Sequence, residues 1–300
     1  MIINEITEQN IEDFIDPVPA LYLNEIKREF VRGLSGEDDG TKELKAAVIF
    51  ELKNAEEDPD VEAEILWFFA SDASSGAELL RTLGNYTGDG GKDFPGGGGS
   101  FDPGGGGISR VFFELPSLGN SEEEAFALAG YSLERKESRD VSVSVEDFSS
   151  LSFSRKKPPE YVKPLSEITS RQFKAAIMSS VFHGRYGLLE DLPFLPITWF
   201  DPDISCCVLT DDRINALLLV SGRGTEGFRV ELLFALQPDA NIHLLNMITY
   251  SIRAAANVGQ PGDKVLLRRH NEASCALVRK LFPGKKGKTA VQGQIINLSS

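Results

Sequence analysis

Residues 64–83 read EILWFFASDASSGAELLRTL, a run of apolar and aromatic residues too long for one face of any element, closed by a turn of small residues. Ser75-Gly76-Ala77-Glu78 has the spacing of a capping box, and Leu79-Leu80 opens an apolar face behind it. This order predicts a buried strand feeding straight into a helix N-terminus, where backbone N–H groups point outward and can hold an anion. A weaker copy, ELLFALQPDANIHLLNMITY, follows at 231–250, so the chain carries the unit twice.

Three hundred residues suit two domains, each long enough to bury a core. Charge divides them. Residues 1–155 carry 13 Lys+Arg against 32 Asp+Glu, net −19, and the remainder 18 against 13, net +5. So acidic a first half repels phosphate backbones, which argues against a nucleic-acid partner. No apolar stretch approaches membrane-spanning length, and MIINEITEQNIEDF has neither a basic nor an apolar leader region. Cys206, Cys207 and Cys275 lack metal-ligand spacing and read as reduced, buried thiols. A cytoplasmic protein with no membrane partner is the expectation.

Both halves follow one plan. The first reads as strand 2–6, helical material from Asn10 to Gly33, strands at 44–52 and 63–70, the helix after Ser75, and strand 110–116. A second helix, capped by Ser121 with Glu124, and an alternating strand DVSVSVEDF at 140–148 end it. The basic, proline-rich FSRKKPPEYVKP at 153–164 reads as the linker. The second half reads as a helix from Ser170, strands 204–209, 214–220 and 229–236, a helix over 241–258 stopped by Gly259 and Pro261, strand 264–268, helix 272–281 and the closing TAVQGQIINL. EILWFFA aligns with ELLFALQ, RVFFELP with KVLLRRH, and EEEAFALAGY with NEASCALVRKLF, at offsets of 167 for Glu64 to Glu231 and 154 for Val111 to Val265. The domains expected are therefore 1–155 and 156–300.

The tract TGDGGKDFPGGGGSFDPGGGG at 87–107 invites a nucleotide-loop reading. It has neither the Gly-Lys-Ser/Thr ending of a P-loop nor a GxGxxG between strand and helix. A right-handed crossover from strand 63–70 to strand 110–116 puts it at the sheet edge opposite the helix N-terminus, where it reads as a flexible insertion.

Strand, turn, helix, strand, helix ending in Gly130-Tyr131, then a hairpin: in this order the chain resembles the GCN5-related N-acetyltransferase (GNAT) superfamily. The resemblance implies an α/β fold of two tandem acyl-CoA N-acyltransferase-like domains, each a mixed central sheet flanked by helices. It implies transfer of an acetyl group from acetyl-CoA to an amine of a small molecule or peptide. The family holds the CoA pyrophosphate at a turn written Arg/Gln-x-x-Gly-x-Gly/Ala, followed by a Leu-Leu pair. Setting Leu79-Leu80 on that pair puts Ser71, Ser74 and Gly76 at the motif positions, and only Gly76 matches. Phe69, Ser71, Ser74, Ser75, Gly76 and Ala77 are then the implied cofactor contacts, with Asp72 and Glu78 competing for the same N–H groups. In the second half, Leu244-Leu245 leads to Leu236, Asp239 and Asn241, and nothing matches.

The family's tyrosine acid falls on Phe126, which has no proton to give, and on Val278 in the second half; Tyr131 reads as core. A glutamate on the central strand often serves as base for the amine, and Glu64 is the candidate, with Glu231 at the same place in the second half and Glu62 nearby. Arg268-Arg269-His270 is a basic cluster at the second half's site edge, open both to a CoA-phosphate contact and to a solvated strand end; His183 and His243 have no evident partner. The net charge of the first half suits a cationic acceptor. A catalytically inactive binding protein built of two degenerate copies is the alternative, and acyl transfer by the C-terminal half alone is a third reading.

Overall fold

The computed structural model describes residues 1–53, 61–86, 108–184, 187–189, 191–224, 227–236, 240–258 and 262–296. The glycine tract 87–107 and the helix stop at 259–261 lie outside the described residues. In chain order the elements are β1 (Ile2–Ile6), α1 (Ala20–Glu25), β2 (Val31–Glu37), β3 (Leu44–Lys53), β4 (Glu62–Ala70), α2 (Ala73–Gly84), β5 (Arg110–Leu115), α3 (Asn120–Leu128) and β6 (Ser132–Glu137). There follow β7 (Asp140–Ser144), α4 (Val145–Ser149), β8 (Val162–Pro164), α5 (Ser170–Phe182), β9 (Cys206–Thr210), β10 (Arg213–Gly224) and β11 (Gly227–Ala235). The chain closes with α6 (Ala240–Val258), β12 (Lys264–Arg268), α7 (Glu272–Leu281) and β13 (Thr289–Ile296).

Two compact units form, but their boundary is not the expected one. Unit 1 is Met1–Ser138 with Lys288–Ser300, and unit 2 is Arg139–Gly287. The first sheet runs β1-β2-β3-β4-β5-β13-β6 and the second β7-β12-β11-β10-β9-β8. Thus DVSVSVEDF serves unit 2, where β7 stops at Ser144 and α4 begins at once, Ser144 capping the Asp147 N–H. The closing TAVQGQIINL serves unit 1, between β5 and β6. The supposed linker 153–164 lies inside unit 2 and contributes β8. An alternating strand announces one wet face but not which sheet it joins, so composition put the cut too late.

A second correction concerns residues 10–33. The helix α1 ends at Glu25, and Val31, Gly33 and Leu34 belong to β2, paired antiparallel to β3. Their apolar spacing looked helical because β2 is buried on both faces: Val31, Gly33, Leu34 and Ser35 are all buried.

In each unit the central strand carries a β-bulge, which changes the face of every later residue. In β4, Phe50 pairs with Ile65 and Ile49 with Trp67, so Leu66 is the extra residue. Ala63 and Ile65 before it, and Phe68 and Ala70 after it, all enter one core with Leu79, Leu80 and Leu83 of α2. In β11, Leu219 pairs with Leu232 and Val220 with Val230, making Glu231 the extra residue. Phe228, Val230, Leu233 and Ala235 repeat the inward pattern. Each fully buried leucine of this kind contributes about 1.5–3 kcal/mol.

Candidate functional site

The β4–α2 turn of unit 1 is where the sequence places an anion cradle. Strand β4 pairs in parallel with β5 only from Glu62–Arg110 to Ile65–Phe113; from the bulge onward the two share no ladder. At its end the cradle is already filled by the protein itself. Asp72, not Ser75, caps α2: its carboxylate accepts the Ser75 N–H at 2.9 Å and the Ser75 hydroxyl at 2.9 Å. The backbone N–H of Ser75, with smaller help from the Ser75 hydroxyl and the Ser74 N–H, holds the Asp72 carboxyl below its usual range. A diphosphate would have to displace a charge from those donors.

The other implied contacts are also committed. Ser71 donates its hydroxyl to the Lys45 carbonyl at 3.0 Å and its N–H at 2.8 Å. Phe69 is half-buried with its ring stacked on Trp67, centroids 6.4 Å apart, and Ala77 is buried. Ser74 is exposed. Gly76 faces inward: a Cβ there would lie 2.7 Å from the Ala125 methyl and 2.8 Å from the Ala70 methyl. Its missing side chain lets α2 approach α3, which is a packing reason for the glycine. The cap of α3 lies two positions earlier than the expected Ser121–Glu124 box, with Glu122 accepting the Gly119 N–H at 2.6 Å. A CoA pyrophosphate at the unit 1 turn would compete with Asp72 for the α2 N–H groups.

Glu64 lies on the opposite face of β4, across from Glu51 of β3. It belongs to a largely buried ion network: Lys53 reaches Glu64 at 3.5 Å and Glu51 at 2.6 Å, while Arg28 binds Glu51 and, at 2.7 Å, Glu25. Glu62 pairs with Arg110 at 3.3 Å. On the helix side, Phe126 packs on Phe113 and Phe68 with centroids 4.1 and 4.8 Å apart. Tyr131 joins this cluster; its hydroxyl is buried with no hydrogen-bond partner, and burial pushes its pKa up.

Unit 2 differs. Strands β11 and β12 pair only at Phe228–Val265 and Arg229–Leu266, so the ladder ends early here too. At the bulge beside that end, the Glu231 side chain is fully buried. One carboxylate oxygen accepts the Ser221 hydroxyl and, at 2.6 Å, the Arg229 Nε–H; the other, Oε2, has no hydrogen-bond partner. The backbone of Gly187–Leu188 lies on the same residue, the Leu188 N–H donating to the Glu231 carbonyl at 2.9 Å. Gly187 has φ +69, and a Cβ on it would fall 2.5 Å from that carbonyl.

Bulge against bulge, and Ala63–Val111 against Phe228–Val265, both set the offset between β4 and β11 at 165. Glu231 thus corresponds to Leu66, and Glu64 to Arg229. The match of Glu64 to Glu231 rested on local likeness and is off by two. The basic edge also has partners: Arg268 pairs with Asp140 at 3.5 Å, Arg269 donates to the Arg139 carbonyl at 3.2 Å, and the His270 ring lies 2.8 Å from the Asn271 amide that precedes α7. Residues 237–239, where Asp239 falls in the second turn, lie outside the described residues.

Among the described residues no group of three or more His, Cys, Asp or Glu could hold a metal ion, and no helix is long and apolar enough to cross a membrane. No protein-family model matches the sequence, and no curated protein matches it. Solved structures do. A tandem GNAT protein from the clavulanic acid biosynthesis pathway aligns over 98% of both chains with a TM-score of 0.53 at 6% identity. A conserved protein of unknown function from Enterococcus faecalis V583, described as a probable N-acyltransferase, aligns over 98% of this chain and 72% of its own with a TM-score of 0.50 at 10% identity. The chain has the tandem GNAT fold: two mixed sheets flanked by helices.

Proposed function

We propose that this chain is an acyl-CoA-dependent N-acyltransferase that acylates an amine of a small molecule or peptide, with its reaction centre in unit 2 and unit 1 as a structural copy. One observation carries the reading: the buried Glu231 carboxylate at the β11 bulge, with an oxygen left without a partner beside the end of the β11–β12 ladder. A buried carboxylate lacking a partner costs free energy, and such costs cluster where a group must handle a proton. The acyl thioester, acetyl-CoA in the simplest case, would supply the carbonyl carbon that the amine attacks; the C–N bond forms, the C–S bond breaks, and the CoA thiolate leaves and takes a proton from solvent to depart as the thiol. Glu231 takes the proton that the amine sheds, directly or through one water, while Ser221 and Arg229 fix the carboxylate in place. Both glutamates have a cation partner, Lys53 at 3.5 Å for Glu64 and Arg229 at 2.6 Å for Glu231, but Glu231 keeps an oxygen with no hydrogen bond.

The charge of unit 2 does not favour a cationic acceptor over a neutral amine. With the observed boundary, unit 1 carries 12 Lys+Arg against 29 Asp+Glu, net −17, and unit 2 carries 19 against 16, net +3. Three free cysteines favour a cytoplasmic setting.

Calorimetry with acetyl-CoA, and thiol release in the presence of a panel of amines, test this reading. Glu231→Gln should lower turnover roughly 100-fold with CoA affinity nearly unchanged, whereas Glu64→Gln should leave both intact. Full activity in Glu231→Gln removes Glu231 from the chemistry. The self-capping of α2 by Asp72 favours a second reading, a non-catalytic binding protein, and absence of acetyl-CoA binding at millimolar ligand would establish that reading over the first.

A further inference from the structure

Unit 2 encloses an apolar cavity of about 60 Å³ on the helix side of its sheet. Leu233 of β11, Leu267 of β12, Ile252 and Ala255 of α6 and Leu277 of α7 are among its walls, and Ser251 is the one polar residue of the lining. At the corresponding positions of unit 1, the rings of Phe68, Phe113 and Phe126 pack on one another.

At the offset of 165, Leu233 stands where unit 1 has Phe68. At the offset of 154 between β5 and β12, Leu267 stands for Phe113, and with α7 aligned on α3, Val278 stands for Phe126. The three rings that close unit 1 are therefore replaced by two leucines and a valine. The helices differ in the same sense. Gly76 and Ala125 let α2 and α3 touch, whereas Asn241 and Leu277 occupy those places in unit 2. There α6 packs closely on α4, and the tight α2–α3 contact has no equivalent between α6 and α7. Interiors are close-packed, so side-chain carbon removed from one copy leaves room for carbon from elsewhere.

We propose that this cavity binds the end of an unbranched aliphatic acyl chain. A lining with one hydroxyl stays dry and offers nothing to a polar ligand. The volume holds about four to six water-sized groups, hence a similar number of methylenes. Val230 and Leu267, which follow the last paired positions Arg229–Leu266, both line it, so the cavity borders the place where the β11–β12 ladder ends. Where the acyl-transfer reading holds, the donor is then a medium-chain acyl thioester rather than acetyl; the site itself stands on binding alone.

The test is calorimetric titration of the full chain with unbranched fatty acids of four to twelve carbons, with octanoyl-CoA, and with CoA alone. Octanoate or octanoyl-CoA should bind once per chain and more tightly than its four-carbon counterpart. Leu233→Phe with Leu267→Phe restores the residues of unit 1, and should weaken that binding roughly tenfold or more with thermal stability equal or raised. Ala255→Phe blocks the same space from α6 and gives the readout if the double variant does not fold. No saturable binding by any of these ligands at about 1 mM overturns the proposal, as does binding that survives both variants. Octanoate that binds as tightly as octanoyl-CoA, with CoA alone silent, identifies a free acid as the ligand and refutes the transfer reading while keeping the site. Octanoyl-CoA that binds more tightly than octanoate, with CoA also binding, identifies the donor's tail.

Discussion

Gly76→Ala distinguishes a glycine kept for a ligand from a glycine kept for packing, because the two give stability changes of opposite sign. The new methyl would lie 2.7 Å from the Ala125 Cβ, 2.8 Å from the Ala70 Cβ and 3.1 Å from the Phe68 ring. Carbon atoms prefer about 3.5–4.0 Å, so each alanine must give by roughly 0.8 Å. Both neighbours are methyls fixed to backbone, one on α3 and one on β4, and neither can rotate away. Overpacking of this kind costs about 1–3 kcal/mol. Against it, alanine gains about 0.5–1 kcal/mol over glycine inside a helix. The balance is a loss of roughly 0–2.5 kcal/mol, or up to about 10 °C in Tm for a unit of this size. Thermal unfolding followed by far-UV circular dichroism reads it, and Ala125→Gly added to Gly76→Ala should recover part of the loss. Were Gly76 open toward a ligand, the same substitution would raise Tm. A Tm above wild type refutes the packing argument.

Three further outcomes follow from geometry already described. Asp72→Ala should cost about 0.5–2 kcal/mol of stability through loss of the α2 cap, and because the Asp72 pKa is lowered in the folded state, that contribution is present above its ordinary value and disappears as pH falls through the folded value; urea titrations at pH 7 and pH 3 should show the difference between variant and wild type shrinking in acid. Residues 139–287 expressed alone should give a cooperative unfolding transition, while 156–300 should not, since it lacks β7 and α4 and carries an orphaned β13; equal folding of the two would contradict the division into units. Gly293→Val should destabilise unit 1 by more than 1 kcal/mol, because a Cβ there meets the Phe113 ring at 2.5 Å and the Ser132 carbonyl at 3.0 Å; a chemical denaturation curve that overlays wild type would sink this reading.

The elements most visible in the sequence were those with a single physical cause. A long apolar run ending in small residues can only be a buried strand and a turn, and β4 and α2 appear where that logic puts them. What stayed hidden depends on pairing. Two overlapping cap signals, Asp72-x-x-Ser75 and Ser75-x-x-Glu78, look alike in one dimension; the strand ending at Ala70 decides for Asp72. The bulges at Leu66 and Glu231 leave no mark on composition, so Glu64 and Glu231 aligned by identity rather than by position. The unpaired oxygen of Glu231 had no signal in sequence at all, because it is defined by what Ser221, ten residues away, and Arg229 do not reach.

The Ser138 N–H donates to the Lys288 carbonyl at 2.8 Å, so the chain leaves unit 1 and re-enters it at adjacent points. From the ribosome's side this reverses the usual order of folding, in which domains form from the N-terminus as they emerge. Every strand of unit 2 is synthesised before β13, the strand that joins β6 to the rest of the first sheet, has been made. During synthesis β5 and β6 therefore wait with open edges, and the acidic half of the protein, though translated first, is completed last. Like-charge repulsion from its net −17 opposes pairing of those edges with other copies of the chain.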